Sequence, residues 1–251
     1  MPTAPFDLAV ITALVLAAAL LYSSGGHAGA SAYLAIMALF SVAPATMRPT
    51  ALVLNIAVAS IGSIRFIRAR AVPWNLLGPL CLGSIPAAFA GGRIKLAPGT
   101  YLFILGSVLL VAAFFLWLRP KSAVTSRPPP RTWLVAIGGV LGFVAGLTGI
   151  GGGIFLSPLL ILTGWEEPRR TSGAAAVFIL VNSVLGLLGQ LSSLVRIPPE
   201  ATLMAIAAVC GGLVGSWLGV HRLQPLALRR VHAVVLVVSG SKLLFEGLRH
   251  H

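Results

Sequence analysis

Ten stretches of apolar residues, separated by short polar gaps, dominate the pattern along this chain. Most of them approach the roughly 17–25 residues that a helix needs to cross a bilayer. The second and the seventh are shorter, and each follows a glycine cluster. The pattern therefore predicts ten helical segments, with short broken or re-entrant helices as segments 2 and 7. The stretches cover residues 8–22, 30–43, 50–67, 74–92, 100–118, 132–148, 153–164, 172–195, 200–220 and 230–248.

A basic, proline-rich linker at residues 119–131 divides the ten segments five and five. Asn55 in the third segment and Asn182 in the eighth are 127 positions apart. The glycine clusters that precede the two short segments recur at a similar offset. We therefore expect residues 1–118 and 132–251 to be two five-segment repeats that together form one membrane domain.

Rows of small residues at every fourth position support the repeat. Such rows allow helices to approach closely in lipid, so the fourth and ninth segments are predicted to make contacts within the bundle. The rows recur at an offset of 128, as Gly83, Ala87 and Gly91 and then as Gly211, Gly215 and Gly219.

The number of crossings decides the relation between the repeats. If all five segments of each half cross, the repeats are inverted, and alternate gaps place 12 Lys and Arg residues on one side and 6 on the other. The positive-inside rule then makes the first side cytoplasmic and leaves both termini outside. If the short segments are re-entrant, the tally is 10 against 8 and decides nothing. We expect an all-α polytopic membrane protein with inverted repeats.

Composition excludes a soluble protein. The chain is 57% apolar and 9% charged, against about 45–50% and about 25% in soluble domains. The net charge of +13 comes from Lys and Arg in the gaps between segments, where topology and anionic lipid account for it. No binding motif accompanies this charge, so we expect contact with the lipid bilayer and none with nucleic acid.

The densest motif is the glycine-rich stretch at residues 142–158, GFVAGLTGIGGGIFLSP. Glycine at this density predicts a break in the backbone at membrane depth, which must face protein or a wet cavity. The helix that restarts after the break directs unpaired N–H groups at that cavity, which suits an anion. Matching breaks in two halves are typical of transporter sites. The alternative is a glycine-rich helix crossing without a ligand.

Polar residues inside the segments are the next candidates. Asn55 and Asn182 are expected to face the bundle interior, because an amide facing lipid is costly. They bind an anion or form hydrogen bonds between helices, with Thr50 and Ser183 as nearby hydroxyl donors. His27, in the first glycine cluster, is a donor, a titrating group or a structural residue.

Other kinds of chemistry lack their residues. None of the five acidic side chains lies in the middle of a segment, so no carboxylate proton relay or cation site is expected. The chain contains no Walker sequence, metal-ligand cluster or nucleophile elbow. We expect no enzyme activity, no cofactor and no metal.

The stretch from Gly142 to Pro158, the Asn182-Ser183 pair after Gly173-Ala174, and the Gly211/Gly215/Gly219 row resemble the TauE/SafE sulfite-exporter family. The resemblance covers essentially the whole chain and is clearer in the second half. It implies a multi-pass transporter of the bacterial inner membrane for sulfite, organosulfonates or other small anions. Two positions depart from the family pattern. Ser24-Gly25-Gly26-His27 replaces a triple-glycine turn, and Ala174-Ala175 replaces a Thr-Ser pair.

We therefore expect a secondary transporter that exports a small anion. The alternatives are an anion channel and a membrane-embedded enzyme or assembly factor. A small inorganic or organosulfur anion is the expected substrate, and a second copy of the chain is a candidate partner in a homodimer. The predicted substrate-binding residues are Gly25, Gly26, His27, Thr50, Asn55, Thr148, Gly149, Gly151, Gly152, Gly153, Asn182 and Ser183.

Overall fold

The computed structural model describes residues 5–23, 27–117, 126–193, 198–219 and 226–249. These residues form ten α-helices and no strand, which confirms the all-helical polytopic fold. The helices are α1 (Pro5–Ser23), α2 (Ala30–Leu39), α3 (Pro44–Arg68), α4 (Trp74–Arg93), α5 (Pro98–Trp117), α6 (Arg131–Thr148), α7 (Gly153–Thr163), α8 (Pro168–Leu191), α9 (Glu200–Gly219) and α10 (Leu226–Arg249).

Helix lengths match the predicted division into full and short segments. Within the described residues, α3, α5, α6, α8 and α9 are each long and apolar enough to cross a membrane. The helices α2 and α7 contain 10 and 11 residues. At 1.5 Å per residue they are about 15 and 17 Å long, roughly half the thickness of a bilayer core.

Helix α3 begins at Pro44, six residues before the predicted stretch 50–67. Proline fits the first position of a helix because it has no N–H to leave unpaired. The earlier start places Arg48 inside the helix, where 8% of the side chain is exposed. The sequence pattern assigned this arginine to a gap between segments, and that assignment is wrong.

The rows of small residues make the close contacts predicted for them. A Cβ added to Gly83 of α4 would lie 1.9 Å from the carbonyl oxygen of Val135 in α6. A Cβ added to Gly215 of α9 would lie 2.0 Å from the carbonyl oxygen of Leu20 in α1. Only glycine permits these backbones to approach so closely. The contacts of Gly219, at the end of α9, lie outside the described part of the structure.

Helices α3 and α8, which are equivalent in the predicted repeat, cross each other at the centre of the bundle. Asn55 of α3 contacts Ser183 of α8. Seven residues further along α3, Gly62 faces Ala176, which lies seven residues earlier on α8. The two helices are therefore antiparallel. We call the contact defined by Asn55, Gly62, Ala176 and Ser183 the central seam.

The equivalent helices α5 and α10 are antiparallel as well, because Gly106 faces Gly240 while Phe103 faces Gly247. Four crossings in each half would make equivalent helices parallel, whereas five make them antiparallel. The helix directions therefore support inverted repeats, with α2 and α7 each returning the chain to the opposite side. The boundaries of the repeats at residues 118 and 132 stay a prediction.

Hydrogen bonds between loops also place alternate gaps at the same end of the bundle, as five crossings in each half require. The Ser126 amide donates to the Gly164 carbonyl, which joins the gaps after α5 and α7. The Ser193 hydroxyl donates to the Arg93 carbonyl, which joins the gaps after α4 and α8 at the opposite end. We call the end that holds the gaps after α3, α5, α7 and α9 the basic side, because the sequence tally assigns 12 of the 18 Lys and Arg residues to these gaps.

Candidate functional site

The backbone breaks between α6 and α7, as the glycine-rich stretch predicts. Gly149, Gly151 and Gly152 have φ angles of +85°, +80° and +81°. Such left-handed conformations are readily available to glycine and costly for other residues. The break is buried, since Thr148 is 0% exposed and Ile150 is 3% exposed. Irregular backbone is therefore enclosed by protein in the bundle, as a lipid environment requires.

Asn55 joins this break to the central seam. Its Nδ2 donates to the Ile150 carbonyl and to the Ser183 hydroxyl, both at 3.3 Å. A Cβ on Gly151 would lie 2.8 Å from that Nδ2 and 3.0 Å from the Ser183 Oγ. The structure thus brings residues from α3, α8 and the break into contact. We call Asn55, Gly151 and Ser183, together with Asn182, which precedes Ser183 in α8, the central polar cluster.

The cluster has hydrogen-bonding capacity left over. Asn55 and Asn182 are both 0% exposed, so neither amide faces lipid. Asn182 Nδ2 donates to the Phe178 carbonyl at 2.8 Å. The Oδ1 atoms of both asparagines have no hydrogen-bond partner, although buried polar atoms nearly always have one. The first N–H groups of α7 also lack partners within the helix. The unused acceptor of Asn55 therefore lies at the break that opens α7, and a second unused acceptor, that of Asn182, lies next to Ser183 on α8.

Two further predicted residues shape the break. The Thr148 hydroxyl donates to the Val144 carbonyl at 2.7 Å and accepts from the Ile150 amide at 3.4 Å, so it finishes α6. Gly152 precedes α7, and a Cβ there would lie 2.9 Å from the Phe178 ring. Their observed contacts position the backbone.

The remaining predicted residues differ in their positions. Gly153 packs its backbone against Ile179, and Gly149 packs against the stem of Arg48. Thr50 is buried with an unpartnered hydroxyl, but five residues from Asn55 it lies on a different face of α3. Gly25 and Gly26 lie outside the described residues. The binding roles of all these residues stay predictions.

His27 belongs to the glycine cluster that precedes α2, which we call the first break, and it contacts α7, the second short helix. Its Nε2 lies 2.8 Å from the Ser157 hydroxyl of α7. Gly29 then starts α2 with a φ of +98°, as Gly152 starts α7 with +81°. Both short helices therefore begin at a left-handed glycine, and the end of the first break lies beside the helix that the second break opens.

Sequence reasoning missed Arg48. Its guanidinium donates to four backbone carbonyls, at 2.6 Å to Gly91, 3.0 Å to Gly92, 2.9 Å to Ile94, and 2.6 Å for the shorter of two bonds to Gly146. Three of these belong to the last turns of α4 and α6, where helical carbonyls lack partners within the helix. One buried cation thus satisfies the negative ends of two helices.

The position of Arg48 connects these helix ends to the site. Seven residues, or about two turns, separate Arg48 from Asn55, so both lie on one face of α3. The Tyr101 hydroxyl donates to the Thr148 carbonyl at 3.0 Å beside it. Arg48 therefore joins the ends of α4 and α6 on the side of the bundle opposite the basic side. The seven-residue spacing was the available signal, and it was overlooked because the predicted segment began at residue 50.

Comparison with known proteins assigns the chain to a family. The family model described as sulfite exporter TauE/SafE matches residues 11–243. The probable membrane transporter protein y4hK of Sinorhizobium fredii is 37% identical over 90% of this chain and 94% of its own length. The probable membrane transporter protein YjnA of Bacillus subtilis is 27% identical over 87% of this chain and 92% of its own length. No solved structure matches the chain significantly.

Proposed function

The chain belongs to the TauE/SafE sulfite exporter family of membrane transporters, and from that premise we propose that it exports a small anion across the bacterial inner membrane. The substrate class proposed is sulfite or an organosulfonate. The proposed carrier is a secondary transporter, in which the central polar cluster binds the anion while helices around it rearrange.

The observation that carries this proposal is the buried break at the N-terminus of α7. The partial positive charge of a helix N-terminus favours an anion, and left-handed glycines open the backbone where Asn55 and Ser183 meet it. The Asn55 amide oxygen there lacks a partner, as does that of Asn182, which precedes Ser183 in α8. A hydroxyl or protonated oxygen of the substrate would satisfy such an acceptor, while the helix N–H groups would bind its anionic oxygens.

The direction of transport follows from charge. By the positive-inside rule the basic side is cytoplasmic. An anion that leaves a negatively charged cytosol gains about 2.3 kcal/mol per charge for each 100 mV. Export therefore needs no coupled proton, and the acidic residues Asp7, Glu166, Glu167, Glu200 and Glu246 all lie near helix ends or in gaps.

Flux into proteoliposomes tests the proposal. The purified chain is reconstituted, and uptake of labelled sulfite is measured against unlabelled sulfite, sulfoacetate, thiosulfate and sulfate as competitors. Saturable uptake with counterflow supports a carrier, and single-channel currents would make the protein an anion channel. Flux equal to that of protein-free liposomes for every anion would reject anion transport and favour an enzyme or assembly factor.

A further inference from the structure

A small cavity lies on the central seam, on the basic side of the central polar cluster. Its wall includes Ser23 of α1, His27 of the first break, Gly62 of α3, Ala176 of α8 and Ser216 of α9. We call it the vestibule. The centre of a water molecule can occupy about 10 Å³ of this cavity. The vestibule therefore has room for about one water molecule.

The vestibule aligns with the site already described. Gly62 follows Asn55 by seven residues on α3, and Ala176 precedes Ser183 by seven residues on α8. Seven residues correspond to about 10 Å along a helix and return to nearly the same face. The vestibule therefore lies on the same seam as the central polar cluster and extends from about one to two helical turns away from it, since Val58 and Ala59 also belong to its wall.

Ser23 gives the vestibule an unused polar group. The residue is 7% exposed, and its hydroxyl has no hydrogen-bond partner. A Cβ on Gly212 of α9 would lie 3.5 Å from that hydroxyl oxygen, so α9 packs directly against it. Buried hydroxyls normally have a partner. A polar ligand in the cavity would supply one.

Arg65 gives the vestibule a positive charge. Its Nη1 donates to the Ser216 hydroxyl at 2.6 Å, and that hydroxyl donates to the Gly212 carbonyl at 2.6 Å. The guanidinium is thus one hydrogen bond away from the cavity, and neither ion pair found among the described residues involves it. No Asp or Glu is part of the cavity wall. An unused hydroxyl donor, that of Ser23, near a guanidinium favours an oxyanion.

We propose that the vestibule is an anion-binding subsite, which accepts a small oxyanion from the basic side before it reaches the central polar cluster. The inference rests on the proposed function. The Arg65 guanidinium and the Ser23 hydroxyl bind the anionic oxygens, while the Ser216 hydroxyl, which donates to the Gly212 carbonyl, positions Arg65. Because the cavity has room for about one water molecule, entry of an oxyanion requires α9 to move apart from the segment at His27.

The test compares variants of the full chain with matched controls. Ser23→Ala removes the unused hydroxyl, and Ser63→Ala removes another buried, unpartnered hydroxyl that is not part of the cavity wall. Arg65→Gln removes the cation, and Arg68→Gln removes an exposed arginine from the same end of α3. Because neither serine hydroxyl has a partner to lose, both alanine variants should fold as the wild type does.

Two readouts are taken with sulfite as the probe. Everted vesicles present the anion to the basic side for initial rates at a fixed potential, and the melting midpoint in detergent is followed as sulfite is titrated. Ser23→Ala and Arg65→Gln should raise the KM about 10-fold, the loss of one hydrogen bond to a charged group. The controls should change it less than about 2-fold, because they lose no contact with the anion. Arg65→Lys should retain part of the affinity.

The outcomes separate this inference from the proposed function. If the wild type transports sulfite and the cavity variants behave as their controls do, the vestibule is not a subsite. If the wild type shows neither flux nor a sulfite-dependent midpoint, both proposals fail. If flux is absent and Ser23→Ala still abolishes a sulfite-dependent midpoint, the subsite stands and transport does not. A KM that rises with the fraction of anionic lipid in the wild type but not in Ser23→Ala or Arg65→Gln would assign the cavity to a lipid headgroup.

Discussion

Replacing Arg48 by methionine tests whether one buried cation stabilises the packing of the C-terminal ends of α4 and α6. Methionine retains an unbranched stem that packs beside Gly149, where the arginine Cγ lies 3.2 Å from the position of a Cβ. The change removes donors from three buried carbonyls, those of Gly91, Gly92 and Gly146, and from the more exposed carbonyl of Ile94.

The magnitude is the difference between two large terms. A buried carbonyl without a partner costs about 1–3 kcal/mol, so three cost about 3–9 kcal/mol, whereas water can replace the arginine at Ile94. The variant also avoids the burial of an arginine that has no carboxylate partner, which costs several kcal/mol. The net loss expected is about 3 kcal/mol. For a chain of this size that lowers the melting midpoint by about 6–12 °C.

The assay is the melting midpoint of the detergent-solubilised protein, followed by size-exclusion chromatography after heating. Arg68→Met is the control, because Arg68 is exposed at the other end of α3, and it should shift the midpoint by less than about 2 °C. If Arg48→Met melts within about 2 °C of the wild type, the carbonyls find other partners and the arginine does not hold these helix ends.

Three further predictions concern the central polar cluster. Gly151→Ala should abolish flux, since its φ of +80° and the Asn55 amide 2.8 Å from the new Cβ exclude a side chain. The control is Gly78→Ala, where a Cβ meets nothing within 4 Å, and it should leave flux unchanged. Equal flux in both variants would contradict the role of the break. Ser183→Ala should weaken sulfite affinity by about 5–10-fold as one hydroxyl of the cluster is lost, and an unchanged KM would remove that hydroxyl from the site. Asn182→Leu should abolish flux yet retain the fold, because its Nδ2 bonds only within its own helix; normal flux at normal expression would leave Asn182 a packing residue.

The fold could be predicted because membrane burial leaves a simple pattern. Apolar stretches and glycine clusters predicted ten helices, of which the second and the seventh are short. The structure confirms the ten helices and the two short ones among them. The direction of α3 relative to α8 could not be decided from charge counts, since the answer depended on whether short segments cross. Contacts between Gly62 and Ala176 and between Asn55 and Ser183 settle that direction, and they are long-range in sequence.

The candidate site was only partly predictable. Asn55, Gly151 and Ser183 were predicted from residue type, and the structure brings them into contact. Their binding roles stay predictions. Arg48 was missed because a basic residue beside an apolar stretch normally indicates a gap. Its partners are backbone carbonyls, which no residue type in the sequence marks.

The most direct test of the proposed anion export is its dependence on membrane potential. Proteoliposomes loaded with labelled sulfite are clamped at a series of potentials with potassium and valinomycin, and the pH gradient is collapsed throughout. The account predicts that sulfite efflux through the protein becomes faster as the interior becomes more negative, and that it continues without a pH gradient. Accumulation of sulfite against its gradient at zero potential, driven by a proton gradient alone, would contradict the account and make His27 the first proton carrier to examine.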